Sequence, residues 1–272
     1  MQPSGFVLEH EELIRTGVFL FLFVMIGTLE AIVPRRRPIV PKRGRWVNNI
    51  GMMLLTTGLI RLTVPITAVA TAAFATRHGW GIFHLLQVPH MLAVAGSIIA
   101  LDLIIYLQHI LVHAVPALWR IHRVHHADLE YDVTTGIRFH PIEIVLSLAI
   151  KMMAIVLLGA PVLAVVLFEA ILNGMAMFNH GNFRLPAMWD RILRQVVVTP
   201  DMHRVHHSSE IDELNSNFGF NISLWDRLFG TYREQPRMGH ENLRIGIEDF
   251  RTWKDVIWLP GMLALPFRKK PR

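Results

Sequence analysis

Residues 142–178 constrain this chain more than any other stretch. They are predominantly apolar and far outnumber the ~20 residues that cross a bilayer core. Gly159-Ala160-Pro161, near the middle, is a turn signal, so the run reads as two crossings or as a hairpin dipping into the membrane. Three further apolar runs precede it. Residues 17–33 are broken only by Thr28 and Glu30, 49–75 are interrupted by Arg61, and 91–114 form the third. Inside hydrocarbon a segment must satisfy its own backbone polar groups, which makes the helix the form such runs take. The expected fold is an all-α polytopic membrane protein with about four to five membrane-embedded helices.

Composition agrees. Hydrophobic residues make up 52% and charged residues 18%, against about 25% charge in a soluble domain. The net charge of +6 does not point to nucleic acid, because the cations are grouped beside the apolar runs. Arg35, Arg36, Arg37, Lys42, Arg43 and Arg45 fill one short loop, and Arg268, Lys269, Lys270 and Arg272 form the tail. Such clusters mark cytoplasmic segments and favour anionic headgroups. The absence of cysteine excludes disulfides and thiolate metal sites. Glu9, Glu11 and Glu12 give the first run the wrong flank for a signal peptide, so it is expected to be a retained span.

The second constraint is histidine. Eight of the fifteen histidines fall within 109–126 and 203–207, where even scatter would place only about one. The spacing is H-x3-H at His109 and His113, then H-x2-HH at His122, His125 and His126, and H-x2-HH again at His203, His206 and His207. Neutral imidazole is the usual ligand of intermediate transition metals. On a helix, residues at i and i+3 or i+4 converge on one metal. The adjacent third side chain points about 100° away and can reach a second. Eight imidazoles exceed the four ligands of a closed zinc site and suit two metals with positions left open. If loop 34–46 is cytoplasmic and 142–178 leaves and returns, all of these histidines lie on that same side.

Asp102, Tyr106, His109 and His113 have helical offsets 0, 4, 7 and 11, one polar stripe on an apolar helix. A carboxylate inside a span is costly. Asp102 is therefore expected to accept the outer ring N–H of a ligand histidine, with capping or packing as the alternative. His180 shares a helical face with Glu169 and Asn173 and is a ninth candidate ligand, the alternative being a packed interface histidine. His140, in Arg138-Phe139-His140-Pro141-Ile142-Glu143, reads as a ligand, a support for one or a headgroup contact. His10, His78, His84, His90 and His240 have no spacing partner and are expected in loops or at interfaces.

Taken in order, the segments 109–113 (H-x3-H), 118–126 (LWRIHRVHH), 138–143 (RFHPIE), 199–208 (TPDMHRVHHS), 215–219 (NSNFG) and 224–232 (LWDRLFGTY) resemble the fatty acid hydroxylase/sterol desaturase superfamily. The similarity runs from about Asp102 to Tyr232. It implies an integral-membrane, non-haem diiron oxygenase, in which a cytosolic helical cap holds the dimetal centre that is itself the catalytic group. The cosubstrate would be O2, with two electrons from an external ferredoxin, cytochrome or reductase. The reaction would hydroxylate or desaturate a C–H bond of a fatty acyl chain, sterol or other membrane lipid. Two Fe ions would be held by the eight box histidines and His180, although Asn179 stands where a glutamine is common; Zn can replace iron in purified protein. His140 matches the HP element of the pattern.

The implied organisation is an N-terminal transmembrane region, 1–90, with the basic cytosolic loop 34–46; a catalytic region, 91–235, containing the hairpin; and a C-terminal cytosolic tail, 236–272. A cysteine-free chain with no haem or reductase segment fits a bacterial inner membrane with the metal site on the cytoplasmic side. Two other classes of function compete: a histidine-rich membrane protein that binds or transports metal, and an inactive lipid-binding scaffold of the same fold. Transport would stagger the ligands through the depth of the span, whereas these histidines gather at one end.

Overall fold

The computed structural model describes residues 11–269, so Glu9, His10, Lys270 and Arg272 lie outside the described residues. The architecture is all-α. Among the described residues, β pairing is confined to isolated bridges such as that of Pro34 with Phe183. Five helical stretches are long and apolar enough to cross a membrane: Leu13–Ile32, Lys42–Leu85, His90–Ala114, Pro141–Leu158 and Val162–Asn179.

Helix α1 (Glu11–Ile32) turns Leu20, Phe21 and Val24 outward. Glu30, buried near its end, accepts from the backbone N–H groups of Val133 (2.7 Å) and Asn182 (2.8 Å). Helix α2 (Lys42–Thr63) stops at Val64, which is extended at φ −114°, because the proline that follows disfavours the helical region. Helix α3 (Ala68–His78) restarts on Thr67, whose hydroxyl accepts from the Ala70 N–H at 3.1 Å, and ends on the left-handed Gly79. The run 49–75 is thus two helices broken by Pro65 rather than one.

Helix α4 (His90–Ala114) ends the same way, at Val115, and Pro116 opens α5 (Pro116–His126). Helices α6 (Pro141–Leu158) and α7 (Val162–Asn179) form the hairpin, closed by Gly159 at φ 69°. The turn after α3 docks on that closure, and a Cβ added to Gly81 would lie 2.0 Å from the Gly159 nitrogen. Ala72, Leu101, Ile155, Val165 and Phe168 seal this end of the bundle from α3, α4, α6 and α7.

The cap forms at the opposite end. Helices α8 (Ala187–Leu193) and α9 (Pro200–His206) follow the hairpin, and the remaining chain wraps beneath α5. Val256, Met262 and Leu265 pack on Met52 and Val124 in one buried cluster. Arg120 and Arg123 fix the chain there, donating to the carbonyls of Pro266 (2.8 Å) and Leu265 (2.6 Å).

Within the basic loop Arg35, Arg36 and Arg45 are held by protein partners, while Arg37 and Arg43 stay exposed. Arg45 is 0% exposed. It donates to both Asp128 oxygens (2.7 and 2.8 Å) and to Asp132 (2.7 Å). Arg35 pairs with Asp201 (3.0 Å), and Arg36 donates to the Leu243 carbonyl (2.6 Å). The acids were distant in sequence, so spacing alone could not reveal these partners. Arg138 joins the same network through Asn49 (3.1 Å) and the carbonyls of Val124 (2.8 Å) and Val256. Burial pushes Asp128 up, but Arg45 and Arg138 overcome it and hold the carboxyl well below the usual range.

Arg45→Leu should destabilise the fold by about 3–5 kcal/mol, because two carboxylates would remain buried without their cation. Thermal unfolding of detergent-purified protein measures this, and an unchanged midpoint would rule out that role for Arg45.

Candidate dimetal centre

Nine imidazoles from four helices meet where the bundle joins the cap. They form two groups, each with its ring nitrogens within 4.8 Å of one another: His109, His113, His122, His126 and His206 in one, and His125, His180, His203 and His207 in the other. The split follows helical geometry. His122 and His126, four residues apart on α5, face one group, while His125 points to the second. His203 and His207 face the second group, and His206, between them on α9, crosses to the first. Helix α4 supplies His109 and His113, and His180 is the residue that ends α7.

The outer ring nitrogens fix the protons. His109 Nδ1 lies 2.8 Å from the Phe218 carbonyl and His206 Nδ1 2.8 Å from the Ser216 carbonyl. His122 Nδ1 lies 2.6 Å from Glu143 Oε1, and His180 Nδ1 2.7 Å from the Ala176 carbonyl. A carbonyl or carboxylate oxygen only accepts, so each of these Nδ1 atoms carries the proton and each Nε2 presents a lone pair.

Where both outer protons are fixed, as in His109 and His206, the two lone pairs point at one another. His109 Nε2 and His206 Nε2 are 3.0 Å apart, too close for two acceptors with nothing between them. His126 Nε2 lies 3.1 Å from His122 Nε2 and 3.2 Å from His113 Nε2. In the second group, His180 Nε2 lies 3.1 Å from His125 Nε2 and 3.2 Å from His207 Nε2. With metal–nitrogen bonds of about 2.1 Å, neighbouring ligands at right angles stand about 3.0 Å apart. The donor set therefore fits a cation in each group. All-imidazole donors suit iron, copper or zinc.

Electrostatics agree. Burial, then repulsion among neighbouring rings, drives His125, His126, His203, His206 and His207 well below the ordinary imidazole value; for His180 burial outweighs the opposing Ala176 carbonyl and Asp132 and takes it down to about 4. The rings are neutral, the form that ligates metal. Phe139 stacks on His125 at 4.3 Å between centroids, and Tyr131 stacks on His180 at 5.4 Å.

Asp102 departs from its expected role. It accepts from Asn221 Nδ2 (2.7 Å), Trp225 Nε1 (2.7 Å) and the Ile222 N–H (3.3 Å), and from no histidine. It shares the stripe with His109 but sits seven residues away, about 10 Å along the axis. Its work is to anchor the segment after Gly219 onto α4. Asp226 anchors the same segment from within, accepting from the Gly219 N–H (2.8 Å) and Thr231 (2.7 Å). The carbonyls that orient His206 and His109, those of Ser216 and Phe218, lie immediately before this segment.

His140 stands outside both groups. Its Nδ1 accepts from the Ile142 N–H (3.2 Å) to cap α6, and its Nε2 faces the Leu263 carbonyl at 3.3 Å. Of the histidines without spacing partners, His78 lies exposed at the end of α3, while His240 is buried 3.6 Å from Asp201. Sequence reading gave no role to Glu143, although it stands three residues past His140, or to Tyr131 and Phe139. A carboxylate in the first turn of a span was the available signal.

A sequence model of the family described as fatty acid hydroxylase matches residues 94–231, just over half of the chain. An ornithine lipid hydroxylase, OlsE, of Rhizobium tropici is 29% identical over 260 residues, covering 94% of this chain and 76% of that protein. An alkylglycerol monooxygenase of Xenopus tropicalis is 27% identical over 141 residues, covering 50% of this chain and 29% of the relative. The Homo sapiens alkylglycerol monooxygenase is 24% identical over 145 residues, or 30% of its length. This chain thus spans about three quarters of the first relative and less than a third of the other two. No solved structure matches. The matched region contains all nine clustered histidines, and the chain belongs to the fatty acid hydroxylase family.

Proposed function

We propose that this protein is a membrane-bound, non-haem diiron oxygenase that hydroxylates or desaturates a C–H bond of a membrane lipid. The observation that carries the reading is the pair of adjacent all-imidazole groups with convergent ring nitrogens. Hydroxylation balances as R–H plus O2, two electrons and two protons, giving R–OH and water. The electrons come from an external donor. His109, His113, His122, His126 and His206 would hold one iron, and His125, His180, His203 and His207 the other. When bound, the iron pair supplies the O2 activation and oxidising power that side chains lack.

The chain's own part is positional. Phe218, Ser216 and Ala176 carbonyls hold three Nδ1 protons outward, and the Glu143 side chain holds a fourth on His122. A carboxylate partner makes its imidazole a more basic donor. Phe139 and Tyr131 cover the second group, keeping bulk water from its rings. Helices α1 to α4, α6 and α7 keep the centre beside the lipid phase. The relatives named for ornithine lipid and alkylglycerol support a lipid substrate. We assign the catalytic region to 91–235, the flanks to 1–90 and 236–272, and the metal centre to the cytoplasmic side of a bacterial inner membrane, from the basic loop. Metal transport fits less well, because nine rings gathered at one end form no relay across the bundle.

Two outcomes are expected. Elemental analysis of detergent-purified protein should find two irons per chain, and His206→Ala should lose the five-ring iron together with lipid oxidation under O2 and a generic reductase. Full turnover by that variant would refute the diiron reading; zinc alone would call for reconstitution with iron. Glu143→Gln should keep the fold but weaken metal retention roughly 10–100-fold, measured by competition with a chelator. Retention equal to that of the unaltered protein would show that the carboxylate does not tune His122.

A further inference from the structure

A second apolar surface lies outside the five spans. On α8 and just past it, Met188 (63% exposed), Trp189 (53%), Ile192 (53%) and Val196 (59%) occupy one face. On the turn Leu224–Leu228 and its end, Leu224 (49%), Leu228 (69%) and Phe229 (51%) do the same. The two faces are one patch. The Arg194 carbonyl accepts from Ser223 Oγ (2.8 Å) and Arg227 Nη2 (3.0 Å), and the Val196 carbonyl from the Ser223 N–H (3.0 Å). Seven apolar side chains about half exposed or more on two adjoining segments are a grouping of the kind that marks a membrane or partner contact.

Its depth is fixed by its contacts. Trp225 donates to Asp102 at 2.7 Å, and Phe229 stacks on Tyr106 at 5.5 Å. Asp102 lies twelve residues before the end of α4, about 18 Å along its axis. A segment bonded there lies beside the span rather than on the cap's aqueous face. The patch continues the outward face of α4, where Ile99, Leu107 and Leu111 are about half exposed.

We propose that the patch of α8 and Leu224–Leu228 is an in-plane membrane anchor, seated in the leaflet on the metal side with lipid acyl chains as its occupant. Arg191, exposed beside it, and Arg227 place cations at the headgroup level, the arrangement of interfacial amphipathic segments. Phe229 sits against Tyr106, one turn of α4 from His109. Lipid tails seated on this patch therefore lie next to the five-ring group. This inference rests on the membrane reading and not on the diiron chemistry.

The chain contains no cysteine, so single-cysteine variants carry one label each. Met188→Cys, Ile192→Cys and Leu228→Cys, with a polarity-sensitive fluorophore, are placed in nanodiscs holding one chain, with doxyl-labelled phosphatidylcholine as quencher. Leu107→Cys on α4 reports insertion, and Met238→Cys, 64% exposed on the cap, is the aqueous control. An anchor buried ~5–10 Å into the headgroup boundary should quench all three at least about twofold more than Met238. Quenching at Leu107 but not at the three sites would overturn the anchor while leaving the membrane reading intact. No quenching at Leu107 would overturn both. Shielding that appears only with two chains per disc would assign the patch to a second copy and also overturn the proposal. None of these readouts needs metal or turnover.

Discussion

Nitrogen lone pairs facing each other at 3.0 Å repel, and the organisation of the cap answers that repulsion. In the five-ring group the outer protons of His109, His122 and His206 are committed to Phe218, Glu143 and Ser216. No tautomer shift can turn the His109–His206 contact into a hydrogen bond without breaking an outer one. A cation between the rings converts the repulsion into coordination, so metal affinity and folding are coupled. The remaining structure must hold the rings in place against their own electrostatics.

Two sets of buried polar contacts do this. One lies beneath the centre, where Arg45 and Arg138 lock the loop of Asp128 and Asp132 against α2 and the C-terminal chain. The other lies beside it, where Asp102 and Asp226 clamp residues 219–231. Buried ion pairs contribute little net stability compared with apolar packing. Their value here is register: one fixes the loop that carries Tyr131 against His180, and the other fixes the chain directly after the Ser216 and Phe218 carbonyls that orient His206 and His109.

Much of the fold was legible in local pattern. Gly159-Ala160-Pro161 marked the hairpin, and the 3.6-residue period of H-x2-HH indicated that one histidine of each box turns away from the other two, but not whether it is the middle or the last. Legibility failed wherever the decisive partner was distant in sequence. Asp102 shares a helical stripe with His109, yet its partners are Asn221, Ile222 and Trp225. Arg45 looks like any other cation of a basic loop until the fold brings Asp128 to it. Pro65 broke a run that hydropathy treated as continuous. Periodicity reports which residues share a face; it carries no information about what that face meets.

The hairpin reaches the histidine groups with both of its helices. Glu143, in the first turn of α6, holds His122, and the Ala176 carbonyl, in the last turn of α7, holds His180. Each helix has 18 residues, about 27 Å of axial length, slightly short of a ~30 Å hydrocarbon core. A thicker or thinner bilayer would tilt or draw these two helices to relieve hydrophobic mismatch. Each of these helices carries one outer ring bond, the α6 one in the five-ring group and the α7 one in the four-ring group. On the proposed function, the physical state of the surrounding lipid would act on the donor strength of both histidine groups, and bilayer thickness would become an input to the chemistry and not only its setting.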